Sequence, residues 1–176
     1  MKTYVILLRG VTPTGKNKVL MAPLRAALIR AGLKDVRTYI QSGNVIAASD
    51  LSRPRLEKRV HNVIEKHSGE DITVIARTAE QFCNILKRNP FTHADTSKLY
   101  FTLFASPPDP NLTKDFLSID FSPDAVRVID NVIYTRYATK YSDSKFNNNF
   151  FEHKLKKAAT TRNFNTMTKL VALSSV

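Results

Sequence analysis

A single cysteine, Cys83, leaves no disulfide to be made within the chain, and a reducing compartment, the cytoplasm, is the expected setting. No apolar run approaches the roughly 20 residues of a bilayer-spanning helix, so no membrane partner is expected. The opening Met1-Lys2-Thr3-Tyr4-Val5-Ile6-Leu7-Leu8-Arg9 has too short an apolar stretch for a signal peptide, and Arg9-Gly10 cuts it. The four histidines, His61, His67, His93 and His153, are scattered, with no His-x-x-x-His pair and no His/Cys cluster. No metal is therefore expected, and no cofactor is called for. His67 falls on the apolar spacing of its helix and is expected to be partly buried. Cys83 lies beside an apolar helix face and reads as a small core residue rather than a nucleophile. Carboxylates are scarce, and no pair of them has glycosidase-type spacing.

The scarcity of acid leaves a formal charge of +12, from 27 Lys and Arg against 15 Asp and Glu. Residues 1–90 carry 16 basic against 7 acidic groups, residues 91–135 carry 3 against 6, and residues 136–176 carry 8 against 2. Basic ends around an acidic middle attract anions, large or small. The plainer reading is solubility.

Hydrophobic periodicity supplies the elements. Tyr4 to Leu8 is a strand, followed by a polar loop from Arg9 to Lys18. A helix then carries Leu20, Leu24, Ala27, Leu28 and Ala31, and Gly32 stops it. Val36 to Gln41 and Val45 to Ala48 are strands joined by the turn Ser42-Gly43-Asn44. A second helix starts near Ser52, buries Leu56, Val60, Val63 and Ile64, and ends near Gly69. Ile72 to Ala76 is a strand. Thr78-Ala79-Glu80-Gln81 has the pattern of a capping box and opens a third helix over Phe82, Ile85 and Leu86.

The order then repeats. Leu99 to Phe104 is a strand, and Asp109-Pro110 starts a helix over Leu112, Phe116 and Leu117. Val126 to Ile129 and Val132 to Tyr137 form a hairpin across Asp130-Asn131. A helix from Ser144 to Lys157 presents Phe146, Phe150 and Leu155, and a last one runs from Asn163 to Leu173. The fold class is α+β: two related βαββα, ferredoxin-like halves, residues 1–90 and 91–176, with mainly antiparallel sheets and an extra C-terminal helix. Only the first half shows the final strand of a complete split unit. Tyr4, Tyr39, Tyr100, Phe101, Tyr134 and Tyr137 lie on strands. With no string that would display them to RNA bases, most are expected in the core.

Three strings carry the candidate chemistry. Gly10 to Asn17 has the spacing of a phosphate-binding loop, G-x-x-x-x-G-K, between a strand and a helix. Asn17 stands where a hydroxyl would bind the metal, and no apolar strand ends cleanly in Asp. What survives is an anion-binding turn with Arg9, Lys16 and Lys18, or a solvated turn whose glycines serve their dihedrals. Ser42-Gly43-Asn44 is a turn or a polar rim beside that loop. Thr160-Thr161-Arg162-Asn163 precedes the last helix. There Arg162 sits against the helix dipole, which suits an anion clamp or a buried ion pair.

The strings Leu7-Leu8-Arg9-Gly10, Gly15-Lys16-Asn17-Lys18-Val19, Thr38-Tyr39-Ile40-Gln41-Ser42-Gly43-Asn44-Val45 and Ala159-Thr160-Thr161-Arg162-Asn163-Phe164-Asn165-Thr166 resemble one bacterial family, domain of unknown function 1697. The resemblance runs from the first strand to the last helix. It implies tandem ferredoxin-like units and no assigned activity. The chain departs from the pattern at Val11-Thr12-Pro13-Thr14, where Thr12 replaces an Asn.

The leading expectation is a protein that binds a small anionic or phosphorylated ligand through Arg9, Gly10, Lys16, Asn17, Ser42, Asn44, Arg162 and Asn163. One alternative is nucleic-acid binding by the basic ends, Lys2 to Arg59 and Arg136 to Lys169. The other is an enzyme acting on a phosphorylated or carboxylated small molecule, for which the sequence offers no base or nucleophile.

Overall fold

The computed structural model describes residues 1–175. The first half runs β1 (Lys2–Leu8), α1 (Met21–Arg30), β2 (Lys34–Tyr39), β3 (Asn44–Ser49), α2 (Arg53–Ser68), β4 (Val74–Thr78) and α3 (Ala79–Lys87). The second runs β5 (Leu99–Phe104), α4 (Pro110–Leu117), β6 (Ala125–Ile129), β7 (Val132–Arg136), α5 (Asn148–Leu155), β8 (Ala159–Asn163) and α6 (Phe164–Ser174). Each half forms a four-stranded sheet, in the orders β2-β3-β1-β4 and β6-β7-β5-β8. Every neighbouring pair of strands is antiparallel. The fold is therefore α+β with two similar halves. The chain divides into two compact units, Met1–Cys83 with the segment from Leu170 on, and Asn84–Lys169.

The second half has a final strand after all, contrary to the expectation from sequence. β8 runs antiparallel to β5, with Arg162 opposite Phe101 and Thr160 opposite Leu103. The strand was hidden because its side chains are polar yet buried: Thr160 is 3% and Arg162 8% exposed. Arg162 donates to the Thr160 hydroxyl at 2.7 Å. The Thr161 hydroxyl lies 2.7 Å from that of Thr102 and 2.9 Å from Asn148 Oδ1. β-branched threonines suit a pleated surface once their hydroxyls are bonded.

Other corrections are local. The helix expected over Ser144–Lys157 begins only at Asn148, where the Asn147 side chain caps it by accepting from the Phe150 amide at 3.1 Å. A single 3₁₀ turn, Tyr141–Asp143, precedes it. Leu20 is 46% exposed because it is the non-helical cap residue of α1 rather than part of its buried face. Leu117, the last residue of α4, is 50% exposed. His67 is exposed, since it lies in the last turn of α2. The capping box forms: the Thr78 hydroxyl accepts from the Gln81 amide and the Gln81 side chain from the Thr78 amide. Asp130 and Asn131 both have positive φ, 46° and 64°, as a two-residue type I′ hairpin requires.

The two cores differ in chemistry. In the first half α1 and α2 cover one sheet face with aliphatic residues, among them Ile6, Leu8, Leu24, Leu28, Val45, Leu56, Val60 and Ile64. Val5, Leu7, Ile46 and Ile75, which alternate with these along the strands, are also fully buried. In the second half Phe104, Phe116, Phe121, Phe146 and Phe151 dominate. Their rings meet edge-on or tilted, as between Phe121 and Phe146 at 4.9 Å. Burying each such side chain contributes about 1.5–3 kcal/mol.

Candidate functional site

The Arg9 loop begins where β1 is pinned from both sides. The Leu8 amide donates to the Gly43 carbonyl at 2.8 Å, and the Arg9 amide donates to the Thr73 carbonyl at 3.0 Å. The structure thereby brings the Arg9–Lys18 loop, the Ser42-Gly43-Asn44 turn and the approach to β4 to one end of one sheet. Gly43 is the close contact. Its φ is 82°, and a Cβ there would lie 2.7 Å from Leu8 Cβ and 3.2 Å from Val11 Cβ. Only glycine permits both the dihedral and the approach.

The loop then closes on itself. The Thr12 amide donates to the Asn17 carbonyl at 3.2 Å, and the Val19 amide to the Thr12 carbonyl at 3.3 Å. The Thr12 hydroxyl reaches the carbonyls of Thr14 at 2.6 Å and Lys16 at 2.8 Å. A hydroxyl has one proton, so it serves one of them at a time. The Asn17 amide donates to the Gly10 carbonyl at 3.4 Å. Gly10, Gly15 and Asn17 all have positive φ, 66°, 75° and 59°. Gly10, Lys16 and Lys18 are exposed, while Arg9 and Asn17 are half-buried. Three cations and no carboxylate occupy this loop.

This is not a nucleoside-triphosphatase loop. That motif joins a parallel sheet directly to a helix N-terminus. Here the sheet is antiparallel, and α1 starts at Met21 after an N-cap, Leu20, whose side chain makes no capping bond.

The turn residues divide. Ser42 is exposed, while Asn44 is fully buried. The Asn44 amide nitrogen donates to the Tyr39 carbonyl and the Ser42 hydroxyl, both at 3.0 Å. Asn44 therefore holds the turn in shape. Thr12 and Thr73 are the members sequence reasoning missed. Thr12 acts through a hydroxyl bonded to backbone carbonyls and Thr73 through its own backbone carbonyl, and neither leaves a pattern in the sequence.

Arg162 and Asn163 lie in the second unit, on β8 rather than in a loop. Arg162 Nη1 donates to the Thr160 hydroxyl at 2.7 Å and the Thr161 carbonyl at 2.9 Å. Burial pulls this guanidinium down to about 10, which still leaves it protonated at neutral pH. The Asn163 side chain accepts from the Thr166 amide at 2.8 Å and so caps α6. Arg77 is the counterpart of Arg162. It faces Val5 on β1 as Arg162 faces Phe101 on β5, and it too bonds the carbonyl just before it, at 2.7 Å. Burial lowers Arg77 as well. Each half also uses a glutamate to cover an amide of its edge strand: Glu57 accepts from Ala76 and Glu152 from Ala159, at 2.8 and 2.7 Å. Burial raises Glu57 above the usual carboxylate range, against the bond from Ala76 and the nearby Arg53 and Arg77.

Among the described residues no three His, Cys, Asp or Glu side chains gather as a metal site would need. Among them, too, no helix is long and apolar enough to cross a membrane.

None of the curated proteins matches this sequence. Among solved structures, a conserved bacterial protein from Streptococcus pneumoniae, SP0830, superposes with a TM-score of 0.80 at 23% identity, over 98% of each chain. That likeness extends to β8 and α6 and establishes the fold. Residues 1–134 match the profile of a family described as a protein of unknown function, DUF1697. The matched stretch holds the whole Arg9 loop and the Ser42-Gly43-Asn44 turn, and with three quarters of its residues inside it, this chain belongs to the DUF1697 family.

Proposed function

We propose that this protein binds a small anion, phosphate or a phosphorylated metabolite, at the Arg9–Lys18 loop. The reading rests on one observation: three positive-φ residues and three cations share a self-closed, largely exposed loop that contains no acid. Positive φ at Gly10, Gly15 and Asn17 lets the loop turn backbone N–H groups inward, the kind of turn conformation that can favour an anion. Arg9, Lys16 and Lys18 add charge, and Ser42 stands exposed in the adjoining turn. Asn44 shapes the site rather than donates to the ligand, because its amide nitrogen gives two bonds to the chain, whereas Asn17 gives one, to the Gly10 carbonyl, of the two an amide can make. Arg162 and Asn163 play no part, since they are engaged within the second unit.

A thermal-shift series with orthophosphate, pyrophosphate and a dicarboxylate, each at two salt concentrations, tests this. A ligand at about 100 times its dissociation constant stabilises the native state by about 2.7 kcal/mol. A phosphate-dependent rise at both salts, lost in Lys16→Ala, supports the site. A rise that survives Lys16→Ala and Arg9→Ala together, or no rise with any anion, overturns it.

A further inference from the structure

We infer that the outer face of α1 and α2 is a docking surface for double-stranded nucleic acid, gripped through its phosphates without regard to sequence. Arg25, Arg30, Arg55, Lys58, Arg59 and Lys66 are all exposed on these two helices, against one exposed acid, Glu65. On α2, Arg55, Lys58, Arg59, Asn62 and Lys66 recur at three- and four-residue spacing on the side away from Leu56, Val60 and Ile64. That row spans about 16 Å at 1.5 Å per residue. A groove of about 350 Å³ between the helices has a floor of Ala27, Ala31 and Val63 and a rim of Arg30, Lys66 and His67. Arg59 ties the helices together by donating to the Ala31 carbonyl at 2.9 Å.

Helix electrostatics accounts for only part of this charge. Arg30, Lys66 and His67 stand in last turns, where cations complement the dipole. Arg53 and Arg55 stand in the first turn of α2, which contains no acid. There a cation opposes the dipole and weakens the helix. The second half provides a comparison within the same chain. Its corresponding helices, α4 and α5, carry Lys114 and Lys154 against Asp115 and Glu152, a net charge of zero. α1 and α2 carry seven Lys or Arg against Glu57 and Glu65, which is 7 − 2 = +5. The fold itself therefore does not call for this charge.

The chemistry selects a duplex. Single strands are held by bases stacking on aromatic rings, and neither helix contains a Phe, Tyr or Trp. The opposite sheet face, where ferredoxin-like proteins stack bases, has Val5, Leu7, Ile46 and Ile75 fully buried. Phosphate contact along a basic row is what remains, and it carries no base readout.

Fluorescence anisotropy with a labelled duplex of about 20 base pairs, at salt between about 50 and 200 mM, tests the inference. Log affinity is expected to fall linearly with log salt. Replacing Arg30, Arg55, Lys58 and Lys66 together by Ala is expected to make that slope shallower by about 3 to 4, at about 0.9 for each phosphate contact. Replacing Lys87, Lys114, Lys140 and Lys154 by Ala should leave it unchanged. Arg55→Ala alone should weaken binding while leaving the melting temperature the same or higher, a split that a purely structural role would not give. Equal losses from the two quadruple variants, equal affinity for polyglutamate or for anionic vesicles, or tighter binding of a single strand would each overturn it.

Discussion

Replacing Gly43 by Ala should destabilise the protein by about 2–5 kcal/mol. Two costs add. At φ 82° a non-glycine residue costs about 1–2 kcal/mol. The new methyl would also stand 2.7 Å from Leu8 Cβ and 3.1 Å from the Leu8 carbonyl. Neither atom can swing away, because Leu8 is fully buried on a central strand. Forcing that contact costs about a further 1–3 kcal/mol. Gly15→Ala separates the two terms. Gly15 has nearly the same φ, 75°, and a methyl added there would meet nothing within 4 Å, so only the first cost applies. Urea denaturation of both variants, compared at constant m-value, measures the difference. The expected excess for Gly43→Ala is about 1–3 kcal/mol. Equal losses would show that the turn yields, and that β1 and the Ser42-Gly43-Asn44 turn do not hold the loop as rigidly as the contacts imply.

Two further outcomes follow from the buried charges. Arg162→Ala should cost about 2–4 kcal/mol, through the cavity and the bonding groups left without their donor. Arg162→Met, which keeps most of the volume without a buried charge, should cost distinctly less by the same urea measurement; equal losses would mean that the bonds matter and the volume does not. Glu57 gives a pH effect of defined sign. Its folded pKa is raised from 4.5, chiefly by burial, so between 4.5 and that raised value the folded chain binds more protons than the unfolded one. Stability therefore falls as pH rises through this window. Melting temperatures of the parent and Glu57→Gln across about pH 4 to 7 should differ in slope, the variant being flatter; parallel curves would place the titration elsewhere.

Most of the architecture was legible because the burial follows simple periods. β1 and β3 are apolar runs, α2 repeats Leu56, Val60 and Ile64 at four-residue spacing, and Asp130-Asn131 announces its hairpin. β8 was not legible because its buried positions are Thr160 and Arg162. Thr160 and Arg162 bond each other, and the Thr161 hydroxyl between them meets Thr102, 59 residues away; no hydrophobic period encodes such partners. The same strand misled the reading of Arg162. Its apparent conflict with a helix dipole vanishes once the residue lies in a sheet. At the candidate site the glycines and cations were legible, while the pinning of Arg9 to Thr73 was not, because it is a bond between backbone atoms.

The likeness of the two halves bears on the proposed role of the Arg9 loop. Strand order, register and the arginine on the final strand recur in both halves, so the fold poses the same connection problem twice. Between β5 and α4 the second half solves it with Ala105-Ser106-Pro107-Pro108-Asp109, in which Asp109 caps the helix by accepting from the Asn111 and Leu112 amides. That link has no glycine, no cation and a well-capped helix. Between β1 and α1 the first half uses the longer stretch from Arg9 to Leu20, with two glycines, three cations and an uncapped helix start. Length, positive φ and positive charge all cost conformational entropy or electrostatic repulsion that the shorter link avoids. That contrast supports the proposal that the Arg9 loop serves a ligand.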